Sequence, residues 1–437
     1  MTFTRKVRTE TKVSDRASSD VVIIGGGAAG MFAGVRLSEM GLSVTVLEPT
    51  GQTLRKLRIS GKGRCNLTNN CSVDQVMKNV MRNPKFLYSA LDNLSPQDVM
   101  NRFESLGVPL KTERGGRVFP VSDKASDVAA SLETAAKNNG VRIIKDRAIK
   151  IIAENGVVTG VTGEYGEYKA EAVILATGGK SYPKTGSTGD GYKLAGELGH
   201  TISEPKASLV PIETKERFSE ALYGFTIKNV TLSLYGSKKK PIYSELGEMS
   251  FSRTGIAGPL SLSASCYIDD KTIQSGCKVV IDLKPGLTME QLIKRIQRDF
   301  DETPNTPFGE SLRRLFPREL APDMVSLSGI PQDKPCNQIT REEKENLARL
   351  TKALTLNVTG LRPIEEGIVT RGGVRTSEIN PATMESKLVS GLYFAGEVID
   401  CDAMTGGYNL QIAFSTAETA ARAISERISE EGKAIWE

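Results

Sequence analysis

The sequence predicts an α/β fold: a parallel-sheet domain, interrupted by a β-rich insertion and a helical segment, then completed by the C-terminus. Three observations predict it. The unbroken apolar run Val21-Val22-Ile23-Ile24 leads into a glycine cluster and then into helical spacing. Strand-like apolar runs ending in glycine recur at Val173–Gly179 and Gly391–Gly396. Between these two, from about residue 205 to 363, the texture changes to short alternating segments and then to capped helical ones.

The elements follow in order. The tail Met1–Ser19 is polar and aperiodic and reads as disordered. It has no apolar core for a secretory signal, and its acids suit a transit peptide poorly. Val21–Ile24 reads as a strand buried on both faces of a parallel sheet. Ala28–Met40 reads as a helix stopped at Gly41, and Ser43–Leu47 as the next strand. Gly51–Asn70 reads as a basic loop. Ser95-Pro96-Gln97-Asp98 has the hydroxyl cap and first-position proline of a helix start. Lys124–Asn138 reads as a helix ended by Gly140, while Val141–Ile152, Val157–Val161 and Val173–Ala176 read as strands. Thr188-Gly189-Asp190-Gly191 opens another helix.

From Ala207 to Leu283 the pattern is β-rich, with Lys238-Lys239-Lys240 at an exposed hairpin turn. Thr288–Leu354 is helical in pattern: Thr288 with Gln291, and Thr340 with Glu343, match capping boxes. Leu392–Ala395 is a strand, and a long helix runs from about Asn409 to Ile428. The predicted division is a tail (1–19), a nucleotide-binding domain (20–204 and 364–437), a β-rich insertion (205–287 and 355–363) and a helical domain (288–354).

Gly25-Gly26-Gly27-Ala28-Ala29-Gly30 supplies G-x-G-x-x-G between a buried strand and a helix, and the next strand ends in Glu48. That context is the Rossmann-like dinucleotide fingerprint. Gly25 makes the tight turn, Gly27 lets the backbone approach a pyrophosphate, and Gly30 lets helix and strand pack closely. The helix N-terminus, with Ala28 and Ala29, offers N–H groups and positive potential to the phosphates. Glu48 accepts hydrogen bonds from ribose hydroxyls and repels a 2′-phosphate. A simple NAD domain needs only this fingerprint. FAD is longer, and its isoalloxazine must be held by backbone far along the chain. The further glycine turns at Gly178-Gly179 and Gly406-Gly407 meet that need, so the expected cofactor is FAD. No second fingerprint exists for a nicotinamide domain, because Gly160-Val161-Thr162-Gly163 lacks the helix. NAD(P)H, as a transient electron donor, would dock over the flavin or bind in the insertion.

Composition excludes several classes. One histidine (His200) leaves no room for a histidine-built metal centre or a catalytic triad, and six cysteines without a C-x-x-C pair oppose a zinc ribbon or dithiol site. No metal is expected. His200, after Gly199 at a helix end, reads as surface decoration, and Cys65 and Cys401 read as packed residues. The longest apolar run, Val21–Val35, holds fifteen residues with five glycines, too short and broken for a bilayer span. The cysteine spacing and the lack of a signal point to the cytoplasm. The net charge of +5, with no RNA-binding module, gives no reason to expect nucleic acid. The expected partner is a small-molecule substrate.

Four further segments carry a resemblance: Ile59-Ser60-Gly61-Lys62-Gly63-Arg64-Cys65-Asn66-Leu67-Thr68-Asn69, Gly116-Arg117-Val118-Phe119-Pro120, Ala176-Thr177-Gly178-Gly179 and Gly391–Gln411. On these the chain resembles the two-dinucleotide-fold flavoproteins, and more closely the bacterial BaiN-like and aminoacetone oxidase-like family. The resemblance implies a FAD domain carrying an inserted β-barrel-like domain and a small helical domain. It implies that Arg55, Lys56 and Arg64 neutralise the pyrophosphate and that backbone at Ile149 clamps the adenine edge. Gly178 lies at the second glycine turn, Glu397 or Asp400 would bond the ribityl chain, and N–H groups of Asn409, Leu410 and Gln411 would face the flavin pyrimidine.

The resemblance also implies a reaction. It is a FAD-dependent oxidoreductase, reducing an enone-type C=C with NAD(P)H, or alternatively oxidising an amine with oxygen. A nucleic-acid-linked or regulatory flavoprotein is the reading from another class. Substrate would lie between the FAD domain and the insertion, with Arg117, Lys180, Tyr182 and Arg253 as polar candidates. Many relatives carry histidine where Arg253 stands.

Overall fold

The computed structural model describes residues 18–434. Most of the expected tail, residues 1–17, lies outside the described residues, and Ser19 already begins a strand. The chain forms two compact units, one of residues 1–206 with 369–437 and one of residues 207–368.

The first unit is built on a seven-stranded sheet. Its strands are β1 (Ser19–Ile24), β2 (Val44–Leu47), β6 (Arg142–Ile144), β7 (Ala148–Glu154), β8 (Val157–Gly163), β9 (Glu167–Leu175) and β18 (Leu392–Phe394). β2 and β9 flank β1, and β6 lies outside β2, all parallel. β9 divides its pairing: its first residues run antiparallel to β8, its last parallel to β18. In register, Leu47 and Leu175 both align with Ile24, and Phe394 aligns with Leu175. Four strands therefore end level, and the sheet's order reverses direction between β1 and β9. That is where an open parallel sheet leaves a crevice for a ligand.

Helices cover the sheet: α1 (Ala28–Glu39), α6 (Ala125–Asn138), α7 (Asp190–Glu197) and the long α14 (Tyr408–Ala434). α5 (Pro96–Ser105) starts at the Ser95 cap with proline in first position, as its sequence predicts, and Asp98 completes a capping box. Phe32 of α1, Phe103 of α5 and Phe414 of α14 meet with ring centroids 5.1–6.4 Å apart, locking the three helices in one buried cluster. Short helices α3 (Val73–Asn79) and α4 (Tyr88–Asn93), which no periodicity announced, precede α5. A small sheet of β3 (Thr68–Asn69), β4 (Leu110–Thr112) and β5 (Arg117–Pro120), and the pair β10 (Ile202–Ser208) and β17 (Val369–Val374), complete the unit.

The expected basic loop 51–70 is largely helical: α2 (Arg55–Gly63) occupies it, kinked where Ser60, Gly61 and Lys62 leave helical φ/ψ. The lysine- and arginine-rich composition hid a helix that buries Leu57 and half-buries Arg55, Lys56 and Arg58. His200 also departs from expectation. It is buried, with its ring edge on Phe394 at 4.9 Å and Nε2 2.8 Å from Ser386 Oγ.

The second unit is a closed barrel in the order β11 (Ile212–Thr214), β14 (Gly255–Ala257), β13 (Tyr243–Ser252), β12 (Thr226–Tyr235), β15 (Lys278–Asp282) and β16 (Leu354–Leu361). β16 closes onto β11, so no strand edge is left open. Lys238–Lys240 lie exposed between β12 and β13. Helices α8 (Pro259–Ser265), α9 (Asp270–Gln274), α10 (Met289–Asp301), α11 (Phe308–Ser311), α12 (Ala321–Ser328) and α13 (Arg341–Lys352) belong to the same unit. The capping boxes at Thr288 and Thr340 form as their spacing predicts.

Candidate FAD site

The fingerprint glycines are required by close approaches. Gly25 has φ +106°, and a Cβ there would lie 2.6 Å from the Ala176 carbonyl oxygen. A Cβ on Gly30 would collide with the Gly25 carbonyl oxygen, so α1 packs onto its own entry turn only with glycine at that position. Gly27 differs: a Cβ there would meet nothing within 4 Å. It is the N-cap of α1, and no side chain caps the helix. The N–H groups of Ala28, Ala29 and Gly30 thus open onto free space at a twelve-residue helix's positive end, a cradle suited to a pyrophosphate.

Glu48 follows β2 and is buried against this turn. Its Oε2 accepts from Gly26 N at 3.0 Å, and its Oε1 accepts from Thr50 N at 2.9 Å and Thr50 Oγ1 at 2.7 Å. The backbone itself fixes the carboxylate beside the cradle, where a ribose would be held. Ile149, expected to clamp the adenine edge through its backbone, has an exposed side chain. It sits at a register shift between Ala148 and Lys150, a bulge that leaves its backbone groups out of the β7–β8 ladder.

The expected phosphate cations separate into three cases. Arg55 has no ion pair among the described residues and keeps its charge available. Lys56 Nζ donates to Glu397 Oε2 and to Ser181 Oγ, both at 2.7 Å. Arg64 is paired with Glu113 and Asp123, each at 2.5 Å, and its guanidinium stacks 4.1 Å over Phe119. Those hydrogen bonds raise the Arg64 pKa and lower that of Glu113.

The ribityl candidates also separate. Glu397 Oε1 accepts from Thr370 N at 2.8 Å and Ser181 Oγ at 3.1 Å, and Oε2 takes Lys56, so its carboxylate is fully partnered. Asp400 Oδ1 is buried with no partner. So are Thr177 Oγ1, in the turn beyond β9, and Tyr192 OH, on α7. The open N-terminus of α1, with the fixed Glu48 carboxylate beside it, fits FAD. Gly178, in the turn beyond β9, has φ +73° and approaches Ser187.

α14 contributes its N-terminus. Gln411 N donates to Gly407 O at 3.1 Å, whereas the N–H groups of Asn409 and Leu410 have no acceptor among the described residues. The Asn409 side chain instead pins the preceding turn, accepting from Ala403 N at 2.9 Å and donating to Ala403 O at 2.8 Å. Cys65 and Cys401 are buried; burial pushes the Cys65 thiol up to about 12, and burial with Asp400 and Asp402 pushes Cys401 well above its ordinary value. Neither is a ready nucleophile.

Of the substrate candidates, Arg117 is half-buried on β5 and donates to Arg114 O at 3.2 Å. Lys180 is exposed just beyond Gly179. Tyr182, half-buried, holds a left-handed φ of +52°. Arg253 lies exposed in the turn between β13 and β14 of the second unit. Sequence reasoning missed Thr177, Ser181, Tyr192 and Thr370 as site residues. Thr177 lies inside a quoted motif; Tyr192 reads as one more apolar position of a helix, and nothing in its spacing marks the hydroxyl as unpartnered.

No helix among the described residues is long and apolar enough to cross a membrane. The family model of the HI0933-like protein Rossmann domain matches residues 19–423. The 3-dehydro-bile acid delta(4,6)-reductase of Clostridium scindens is 33% identical over 412 residues, covering 93% of this chain and 98% of that protein. The ribosomal RNA dihydrouridine synthase of Haemophilus influenzae is 32% identical over 416 residues, covering 94% and 99%. Among solved structures, the 3-ketosteroid-delta4-(5alpha)-dehydrogenase from Rhodococcus jostii RHA1 superposes with a TM-score of 0.51 at 15% identity, covering 96% of this chain and 99% of that one. That likeness concerns the fold. With the fingerprint, the level strand ends and a family match over nearly the whole chain, this protein belongs to the HI0933-like Rossmann family and is a flavin-dependent oxidoreductase.

Proposed function

We propose that this protein reduces an electron-poor C=C bond conjugated to a carbonyl, with electrons drawn from NAD(P)H. The observation that carries the proposal is a chemistry common to relatives with dissimilar substrates. One is named a delta(4,6)-reductase of a 3-dehydro-bile acid, the others ribosomal RNA dihydrouridine synthases. A 3-keto-4,6-diene and a uracil ring each present a C=C polarised by a carbonyl, and each name describes its saturation.

Bound FAD would supply the two-electron transfer. The chain's own residues do the rest. The open N-terminus of α1 holds the pyrophosphate, with Arg55 adding charge, and Glu48 holds the ribose. Asp400 accepts from the ribityl chain, Gly178 lets the turn beyond β9 approach it, and bulged backbone at Ile149 meets the adenine. Lys56 and Glu397, bonded to each other, hold the Ser181 turn and the start of β17 at Thr370 in place rather than binding the cofactor directly. N–H groups of Asn409 and Leu410 offer positive potential where negative charge develops on reduction. His200 is held by Ser386 and takes no part. Tyr182, whose hydroxyl has no partner among the described residues, is the group we assign as proton donor to the substrate, with Arg117 and Lys180 orienting its carbonyl.

A second reading, uridine in ribosomal RNA as the substrate, has its own support. Arg55, Lys62, Lys180 and Lys184 have no ion pair among the described residues, and all lie in segments flanking the glycine turns. Such cations suit a phosphate backbone.

Anaerobic reduction of the yellow protein by NADH and by NADPH tests the proposal. Bleaching near ~450 nm, the flavin band, is expected with one of them, followed by return of colour on adding a conjugated enone. Return of colour with unmodified ribosomal RNA, and not with the enone, selects the second reading. No bleaching by either nicotinamide, with bleaching by aminoacetone, defeats both in favour of amine oxidation.

A further inference from the structure

The loop that leads into α14 is held from outside by a segment with no role in the site so far. That segment, residues 80–83, joins α3 to the helical turn Pro84–Leu87. A link this short between two helices has little slack, and both of its ends are fixed. Ser72 caps α3 by accepting from Gln75 N, and Asn83 takes a left-handed φ of +52° just before Pro84. Asparagine tolerates that conformation, and it avoids the right-handed helical region that a following proline disfavours.

The segment is bonded to residues 400–404 along its length. Val80 and Ala403 form an antiparallel bridge. Met404 N donates to Asn79 O at 2.9 Å, Met81 N to Asp402 O at 2.8 Å, and Asn83 Nδ2 to Asp400 O at 2.6 Å. One contact is charged: Arg82 Nη1 lies 2.7 Å from Asp402 Oδ1. The Asp402 side chain is fully buried, and that of Arg82 is 32% exposed. Burying a carboxylate costs desolvation, so such a pair adds little net stability over an apolar contact. Its hydrogen bond does impose one geometry on the two segments. The loop's other flank is held as well. Asn69 Nδ2 donates to Gly406 O at 3.0 Å, and a Cβ on Gly407 would strike Thr68 O. Residues 400–407 are thus clasped between 79–83 and β3, and they end at the first turn of α14.

We propose that Arg82 is a positioning residue: through Asp402 it fixes the loop 400–407 and so aims the first N–H groups of α14 at the flavin pyrimidine. The proposal rests on the placement of FAD given above, and Arg82 acts through Asp402, not on the cofactor itself. Reduced flavin carries negative charge on that side, so well-aimed N–H groups favour reduction. Loosening the loop lowers the reduction potential.

The test is the midpoint potential of FAD bound to the full-length protein, read by dye-coupled reduction. Arg82→Met combined with Asp402→Asn removes both charges and leaves the net charge unchanged, so a shift reads geometry and not lost charge. Removing both partners of a buried pair is also tolerated far better than removing one. The double variant should lower the equilibrium constant for reduction about tenfold, the scale of a helix terminus acting on one charge, which is about 30 mV for a two-electron couple. Arg82→Lys keeps a cation in reach of Asp402 and should hold the parent equilibrium to within about twofold. An unmoved potential in the double variant overturns the proposal, even with a lowered melting temperature, because the pair then serves the fold alone. An equal fall in Arg82→Lys overturns it too, since the cation is still present. Leu410→Pro removes one N–H from a first helical turn, where proline is tolerated, and should also lower the potential. If it does and the double variant does not, only the assignment of Arg82 falls. If neither does, the placement of the flavin at α14 falls with it.

Discussion

The corner around Gly25–Gly30 and Glu48 and the crevice around Thr177, Tyr192 and Asp400 border the same sheet edge, but they are finished differently. At the corner the protein bonds its own carboxylate and leaves only the N–H groups at the start of α1 open. Glu48 is bonded by Gly26 and Thr50 backbone, and Gly25 and Gly30 close the turn by contact. In the crevice three polar atoms are left over. The corner is a stable piece of fold that a ligand can use. The second region keeps buried polar groups that the fold leaves unbonded. Stability and cofactor affinity should therefore separate between the two.

The largest effect belongs to the corner. Gly30→Ala forces a methyl into the Gly25 carbonyl and should destabilise the protein by about 3 kcal/mol or more. Urea unfolding of the apoprotein measures this, and a loss below about 1 kcal/mol would show that the turn is looser than its geometry. In the crevice, Asp400→Asn should lower FAD affinity by about 10- to 100-fold, the range for a hydrogen bond to a charged group. Its apoprotein should be no less stable than the parent, because the oxygen replaced had no partner. Glu48→Ala should give the mixed outcome: apoprotein destabilised by about 1–2 kcal/mol, because two backbone N–H groups lose their acceptor, and weaker FAD retention. If Asp400→Asn destabilised apoprotein and Glu48→Ala did not, the contrast between the regions would be reversed.

The smallest effect is a titration. His200 packs against Phe394, just before the glycine turn at Gly396. Burial lowers its pKa below 6.5, against the opposing pull of Glu378. Because the folded value is depressed, its contribution to stability is present above about pH 6.5 and is lost as pH falls from there through the lower folded value. It is the chain's single histidine, so its proton NMR signal is unambiguous. A titration midpoint at or above 6.5 would contradict the burial.

These contrasts also account for what could be read in advance. The corner is local: strand, turn, helix and strand lie within thirty residues, and steric need dictates Gly25 and Gly30. Spacing alone therefore located it, along with the helix start at Ser95 and the capping boxes at Thr288 and Thr340. The helical nature of residues 55–63 was hidden, because a solvent-facing helix rich in Lys, Arg and Gly has little apolar period to read. His200 was misplaced because burial depends on what packs from elsewhere: β18 covers it.

The sequence by itself determined the nucleotide corner, the presence of an interrupting insertion and the family, since each depends on residue type at short spacing or on motifs that survive as strings. Only the tertiary structure decided which carboxylate stands unpartnered. Glu397 and Asp400 are three residues apart and equally plausible as text. Lys56, Ser181 and Thr370, from three distant segments, converge on the first and leave the second open. Hydrogen-bond satisfaction is a sum over neighbours in space, and spacing along the chain does not contain it.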